Sequence, residues 1–177
     1  MRCTSVSITA ATVYECEGYR LLTDAEYEYA VRASTTEAYY SGPITTDAAT
    51  DASQCNGYAP LLEIAWYCAN AGRFTHPVGQ KRPNSWHIYD LTGNSEEWVH
   101  DEEKGKTGAA GPWIDPGGSM TAYMYRQTRG GSVISWPRLL RSASRALGGT
   151  WGFHTPIIGF RLARSNLQGG AATPRER

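Results

Sequence analysis

The 177-residue chain has no apolar run approaching the length of a transmembrane helix. Residues 1–15 lack the apolar core of a signal peptide. Its four cysteines, Cys3, Cys16, Cys55 and Cys68, form no Cys-x-x-Cys pair, which leaves a zinc ribbon or a thioredoxin-like site unsupported. Cys55 and Cys68 are compatible with one disulfide and equally with two buried thiols, so the redox compartment stays open. Formal net charge is zero, so strong nonspecific binding to nucleic acid or anionic membrane is not expected. Nor does the chain carry a phosphate loop, a nucleophile elbow or a zinc-protease motif.

A second deficit is local. Residues 129–164 contain no Asp, Glu, Lys, Asn, Gln or Tyr, although the rest of the chain carries forty of these residues. At that background rate a window this long would hold roughly ten. The same window holds six Arg, so the remainder of the chain is net acidic. Arginine is the side chain best suited to buried bidentate pairing, and Arg141, Arg145 and Arg161 are expected to pair with earlier acids. Three islands punctuate the window: Arg129-Gly130-Gly131-Ser132, Arg141-Ser142-Ala143 and Gly159-Phe160-Arg161-Leu162.

The length suits one domain, since a chain of this size buries about 70% of its unfolded surface. Residues 1–15 show no clear periodicity. Thr23 to Ser34 predicts a helix, with Thr23 and Glu26 as a capping box and Asp24 at the positive end of the dipole. Helical spacing places Ala25, Tyr29 and Ala33 toward the core. Glu26 and Glu28 are not a catalytic pair: Glu26 is engaged in capping, and positions two apart on a helix do not face each other. Residues 41–57 read as a loop, and Leu61 to Ala69 as a short helix or an irregular core segment with Trp66 and Tyr67 packed. Turns fill residues 70–85. His87, Tyr89 and Leu91 alternate like a strand before a Gly93-Asn94 turn. Residues 102–122 read as a long loop and 165–177 as a disordered tail.

The three islands resemble the C-terminal signature of the formylglycine-generating-enzyme type of C-type lectin fold. Earlier motifs agree, in the family's order: Gly18-Tyr19-Arg20-Leu21, then 23–30, Pro77-Val78-Gly79-Gln80, Pro83-Asn84, Tyr89-Asp90-Leu91, Gly93-Asn94 and Glu97-Trp98. The resemblance implies one α+β domain over residues 1–164. The family usually has a longer N-terminal half before its Arg-Leu helix motif, so the chain is expected to be a minimal version or a fragment. Calcium binding in the resembling enzymes implies a site made by the side chains of Asp90 and Glu97 and the carbonyls of Gly93 and Ser95. Oxygen-only ligands suit a hard cation. The competing account is a tight turn with Glu97 paired to an arginine of the C-terminal stretch.

The resemblance also implies oxidation of a cysteine to formylglycine, by a cysteine pair that binds copper as thiolates. Those two positions fall on Ser135 and Leu140. A related branch forms carbon–sulfur bonds with iron held by histidines, but His76, His87, His100 and His154 show no metal-ligand spacing. An oxidoreductase of either type, active or decayed, is therefore the alternative reading.

The variable proteins of diversity-generating retroelements share this fold and are the nearer resemblance. In them the C-terminal part is rewritten by reverse transcription that replaces adenines, so Asn codons give rise to many other residues. The resemblance implies a variable ligand-binding region within 129–164. Its positions are Val133, Ile134, Ser135, Leu139, Ser144, Ala146, Leu147, Gly148, Gly149, Thr150, His154, Thr155, Pro156 and Ile157, each reachable from an Asn codon. Trp136, Trp151 and Phe153 join them by position, Trp requiring a different starting codon. The physical logic stands apart from that history. A site that tolerates arbitrary side chains needs a fold fixed by other residues, as antibody loops do.

The expected function is noncatalytic recognition of a varied macromolecular ligand, a protein above all, with no nucleic acid, no membrane span and no required cofactor; calcium is the one ion allowed. The localisation stays open: a displayed binding site would sit on a cell surface or virus particle, but no signal peptide is visible. Trp136, Trp151, Phe153 and His154 are expected to be exposed on one face, near Ile134, Leu147 and Ile157, because an exposed apolar cluster in a soluble chain marks a binding site.

Overall fold

The computed structural model describes residues 3–4, 7–8, 13–15, 18–44, 55–102, 125–150 and 155–165. In chain order the strands are β1 (Cys3–Thr4), β2 (Ser7–Ile8), β3 (Tyr19–Leu21), β4 (Glu96–Glu102), β5 (Tyr125–Arg129), β6 (Ala146–Thr150), β7 (Ile158–Phe160) and β8 (Leu162–Arg164). Among the described residues the helices are α1 (Asp24–Arg32) and α2 (Ala59–Ile64), with 3-10 turns at Val13–Glu15 and Pro137–Leu140. A four-stranded sheet has the order β6-β5-β4-β7, and β3 pairs with β8 in a separate ribbon. β7 runs parallel to β4, with β5 and β6 between them in the chain. Only Arg161 separates β7 from β8, so the C-terminal segment crosses from the sheet to the ribbon.

The capping box forms as the residues dictate. Thr23 Oγ1 accepts the Glu26 amide at 3.1 Å, and Glu26 Oε2 accepts the Thr23 amide at 2.9 Å. Glu26 also takes both ends of the Arg20 guanidinium, each at 2.7 Å. The buried face of α1 differs from the expected one. Tyr27 and Val31 are buried and Tyr29 is exposed, leaving Ala33 as the one member of the expected trio in the core. Tyrosine decides this through its polar tip. Tyr27 donates its hydroxyl to the Leu91 carbonyl at 2.8 Å inside the core, whereas Tyr29 packs edge-on against Trp86 at the surface.

Among the described residues, two apolar clusters form the core. Leu22, Tyr27, Val31, Leu91 and Val99 lie between α1 and the sheet; Tyr39, Leu61, Ile64, Ala65, Tyr67 and Leu140 lie around α2. Leu61 to Ala69 thus combines both expected forms, the end of α2 followed by irregular chain, with Tyr67 fully buried. The expected strand through His87, Tyr89 and Leu91 is absent. His87 and Asp90 have φ of 59° and 57°, which no strand allows, and pairing begins only at Glu96. The greater parts of the expected loops at 41–57 and 102–122, and of the expected tail, lie outside the described residues.

Cys55 and Cys68 form a disulfide, with Cα atoms 5.4 Å apart across 13 residues of sequence. It ties the approach to α2 to the chain beside Tyr67. Closing a loop of this size stabilises by about 3 kcal/mol. Cys55→Ser/Cys68→Ser is expected to lower the denaturant midpoint accordingly, and a reductant should then have no further effect at this pair. An unchanged midpoint in the double variant would show that the bridge contributes nothing.

Candidate functional site

The Arg129–Ser132 island is the base of the candidate site. Arg129 ends β5 and its side chain is fully buried. Its guanidinium meets Asp24 at 2.7 Å and Glu28 at 2.9 Å, both on α1, and donates to the Ser144 carbonyl. Gly130 follows with φ of +87°, and a side chain there would lie 2.5 Å from the buried Tyr27 hydroxyl. The island is therefore fixed from below by α1. This satisfies the pairing rule for buried charge.

From this base a turn projects, held by the rest of the chain through its backbone. Val133 donates its amide to the Asn94 carbonyl at 3.2 Å. The Pro137 carbonyl accepts the Tyr39 hydroxyl at 2.7 Å, and Ser142 donates to the Ala38 carbonyl at 2.8 Å. Burial pushes the Tyr39 phenol well above its usual range, which keeps it a hydrogen-bond donor. Within the turn, Ser135 Oγ accepts the Ser132 amide at 2.9 Å. None of these contacts uses the side chain of Ile134, Trp136, Arg138 or Leu139.

Those four side chains face outward. Ile134 is 47%, Leu139 40% and Trp136 36% exposed, and Arg138 is exposed with its guanidinium 5.5 Å from the Trp136 ring centre. Between them Val133, Ser135, Pro137 and Leu140 point inward and are buried. Val133 and Ser135 are therefore corrected as contact residues. From Val133 to Arg138 successive side chains alternate between core and solvent, and these two fall on the core side.

The remaining expected positions are distributed rather than gathered in one turn. Ala146, Leu147, Gly148, Gly149 and Thr150 form β6, one edge of the sheet; Ile157 immediately precedes β7, the other edge, and its carbonyl accepts the Glu96 amide at 2.9 Å. Thr155, Ile157 and Ser144 are half-buried and Pro156 is exposed. Trp151, Phe153 and His154 lie outside the described residues.

The arginine pairing expected from the sequence holds for two residues and fails for one. Arg145 meets Asp24 at 2.6 Å, and Arg161 clasps Glu97 at 2.5 and 2.6 Å. Arg141 instead donates to the Arg138 carbonyl at 2.9 Å and is exposed. It follows the turn outward, away from the α1 carboxylates. The arginine that sequence reasoning passed over, Arg129, is the most buried one among the described residues. Its signal was its place immediately before Gly-Gly, at the start of the first island.

The Arg161 clasp bears on calcium. Both Glu97 oxygens face the guanidinium, which also reaches the Tyr89 and Asp90 carbonyls at 3.2 Å. Burial opposes the charge on Arg161, but the bonds to Glu97 outweigh it and raise the guanidinium pKa. The Asp90 carboxylate accepts the Gly79 amide at 2.7 Å, and the Gly93 carbonyl accepts the Ser95 amide at 2.9 Å. These residues do not fit a calcium ion, because a fixed cation already fills the place of one. Calcium against excess chelator, at matched ionic strength, is expected to leave the melting temperature unchanged. A calcium-dependent rise that Glu97→Gln abolishes would restore the ion.

The Gly93-Asn94 turn has another use. The Asn94 side chain brackets His76, accepting its amide at 2.8 Å and donating to its carbonyl at 3.0 Å. The Asn94 amide donates to the Trp66 carbonyl at 2.7 Å, and Gly93 donates to the Gly130 carbonyl at 2.9 Å. The turn thus links the core beside α2 to the base of the site.

Ser135 and Leu140, the two positions of the resembling enzymes' cysteines, do come together. Both flank Gly131, where an added Cβ would lie 2.6 Å from Leu140 Cδ2 and 3.3 Å from Ser135 Oγ. A hydroxyl and an alkyl group supply no thiolate, so this pair does not fit copper. His76 stacks on Trp66 with ring centres 3.8 Å apart. Among the described residues no three His, Cys, Asp or Glu side chains gather as a metal site. No helix among them is long and apolar enough to cross a membrane.

Comparison with known proteins places this geometry. A family model described as a sulfatase-modifying factor enzyme 1-like domain matches residues 3–166. The chaperone protein LppX of Paenibacillus barcinonensis is 34% identical over 100 residues, 46% of this chain and 30% of that protein. The formylglycine-generating enzyme of Streptomyces coelicolor is 31% identical over 174 residues, 94% of this chain and 54% of the enzyme. Among solved structures, Treponema denticola variable protein 1 superposes with a TM-score of 0.70 at 29% identity, covering 86% of this chain and 50% of that one. The chain spans about half the length of the last two relatives and less of the first. The α+β fold is of the formylglycine-generating-enzyme, C-type lectin-like kind, and the chain is similar to a diversity-generating retroelement variable protein.

Proposed function

Because the chain belongs to the sulfatase-modifying factor enzyme 1-like domain family, we propose that it is a noncatalytic, ligand-binding member whose 129–164 region is diversified to recognise varied macromolecular targets, proteins first. One observation carries this reading. The turn 133–140 is fixed by buried side chains and backbone bonds, while its exposed side chains make no contact on which the turn depends. That separation is what a replaceable contact surface requires. Similarity to a variable protein supports the same reading, and the lack of a thiol at Ser135 and Leu140 weighs against formylglycine chemistry.

Sequencing the genome around the gene tests the history. A reverse-transcriptase gene and a near-identical noncoding copy of the 129–164 region, with adenines at the variable codons, are expected. Finding neither would bring the decayed-enzyme reading forward.

Stability measurements test the separation itself. Ile134→Ala and Leu139→Ala are each expected to cost no more than about 1 kcal/mol, as surface changes do. Val133→Asn should cost about 2–4 kcal/mol, because it places an amide at a fully buried position that valine fills. Equal losses at all three positions would show that the outward residues are structural after all.

A further inference from the structure

We infer that the partner of this chain is a protein with an acidic face, docking on the 134–141 turn with its carboxylates against Arg138 and Arg141 around an apolar centre of Ile134, Trp136 and Leu139. The inference rests on the turn being the binding face, as proposed above, and adds the chemistry of what binds. Two exposed arginines frame the apolar centre. Arg138 lies over the Trp136 ring, and Arg141 Nε is tied to the Arg138 carbonyl, which keeps both guanidinium groups on one turn.

Neither is neutralised by an ion pair among the described residues. There Arg129 and Arg145 take up Asp24 and Glu28, Arg161 takes up Glu97, and Arg20 takes up Glu26. No acid occurs between Arg129 and Arg164, so the surrounding sequence cannot supply one. Tryptophan and arginine are the residues most enriched where binding energy concentrates. Uncompensated positive charge beside them selects a partner of opposite sign and repels a basic one. A polyanion fits less well. The chain is neutral overall, and two arginines would release few counterions.

The probe is a display library of random 12-residue peptides, selected in parallel on the full chain and on Arg138→Glu/Arg141→Glu. Binders from the unaltered chain are expected to combine Asp or Glu with Trp, Phe or Leu. They should lose about tenfold or more in affinity for the charge-inverted chain, since like charges then face each other. Arg138→Gln/Arg141→Gln, which removes charge without inverting it, should lie between the two. Retained melting temperatures keep both variants interpretable.

Binders that need Trp136 but show no acid enrichment and ignore the inversion overturn this inference alone. Binders indifferent to Trp136→Ala, Ile134→Ala and Leu139→Ala overturn the binding face itself. Failure to enrich any clone, or tighter binding to a single-stranded DNA 20-mer than to any selected peptide, overturns the acidic-protein partner.

Discussion

Arg129→Met is expected to lower the unfolding free energy by about 3–5 kcal/mol, the loss seen when one partner of a buried ion pair is removed. For a chain of this length that is a fall of roughly 10 °C or more in melting temperature. The side chain has no exposed surface, and Asp24 and Glu28 both aim at it. Methionine would fill much of the volume but leave two carboxylates facing an apolar stem. Arg145 and Arg32 would compensate in part, since Arg145 already reaches both acids and Arg32 reaches Glu28. Arg129→Lys should recover little, because one ammonium lacks the fork that spans two carboxylates and the Ser144 carbonyl. Neutralising the acids as well, in Asp24→Asn/Glu28→Gln/Arg129→Met, should recover part of the loss. A loss below about 1 kcal/mol in the single variant, against that mutational range, would show that the cluster does not hold α1 to the sheet.

The sequence made local features legible and left the distant ones hidden. The Thr23–Glu26 box was readable because both partners sit within one turn of helix. The buried face of α1 was not, since Tyr27 and Tyr29 are the same residue type. What separates them is a carbonyl, that of Leu91, supplied from 64 residues away. Arg145 and Arg161 were readable as internal partners from charge balance, yet the same balance also implicated Arg141, which points outward. Balance counts charges and carries no direction.

The His87–Leu91 alternation misled for a related reason. An alternating pattern describes polarity, and two left-handed residues can interrupt it without changing the composition. At the candidate site, the ordered motifs identified the segment and its islands. They did not distinguish Val133 and Ser135 from Ile134 and Trp136. Variation at a codon says nothing about which way a side chain faces, and here neighbouring positions alternate between core and solvent.

The outward residues of the turn depend on what holds them, and the Gly93-Asn94 turn is the part most sensitive to change. Gly93→Ala is expected to cost about 2–5 kcal/mol, about 1–3 for overpacking added to about 1–2 for a left-handed alanine. A Cβ there would lie 2.3 Å from the Trp66 carbonyl oxygen and 3.1 Å from Ala65 Cβ, at a φ of +76°. The nearest obstacle is backbone, so no rotamer change relieves it. The Trp66 carbonyl is itself held by the Asn94 amide at 2.7 Å, and Ala65 is fully buried. Moving Gly93 away would break its bond to the Gly130 carbonyl and disturb the Asn94 carbonyl that receives Val133. Gly79→Ala is the matched control. Its φ is +75°, but nothing lies within 4 Å of the added methyl. The left-handed backbone alone should cost it about 1–2 kcal/mol. The excess loss in Gly93→Ala over Gly79→Ala, measured by chemical denaturation, therefore reports the close approach itself. Similar losses in the two variants would show that the turn has room to move and that the site does not depend on it.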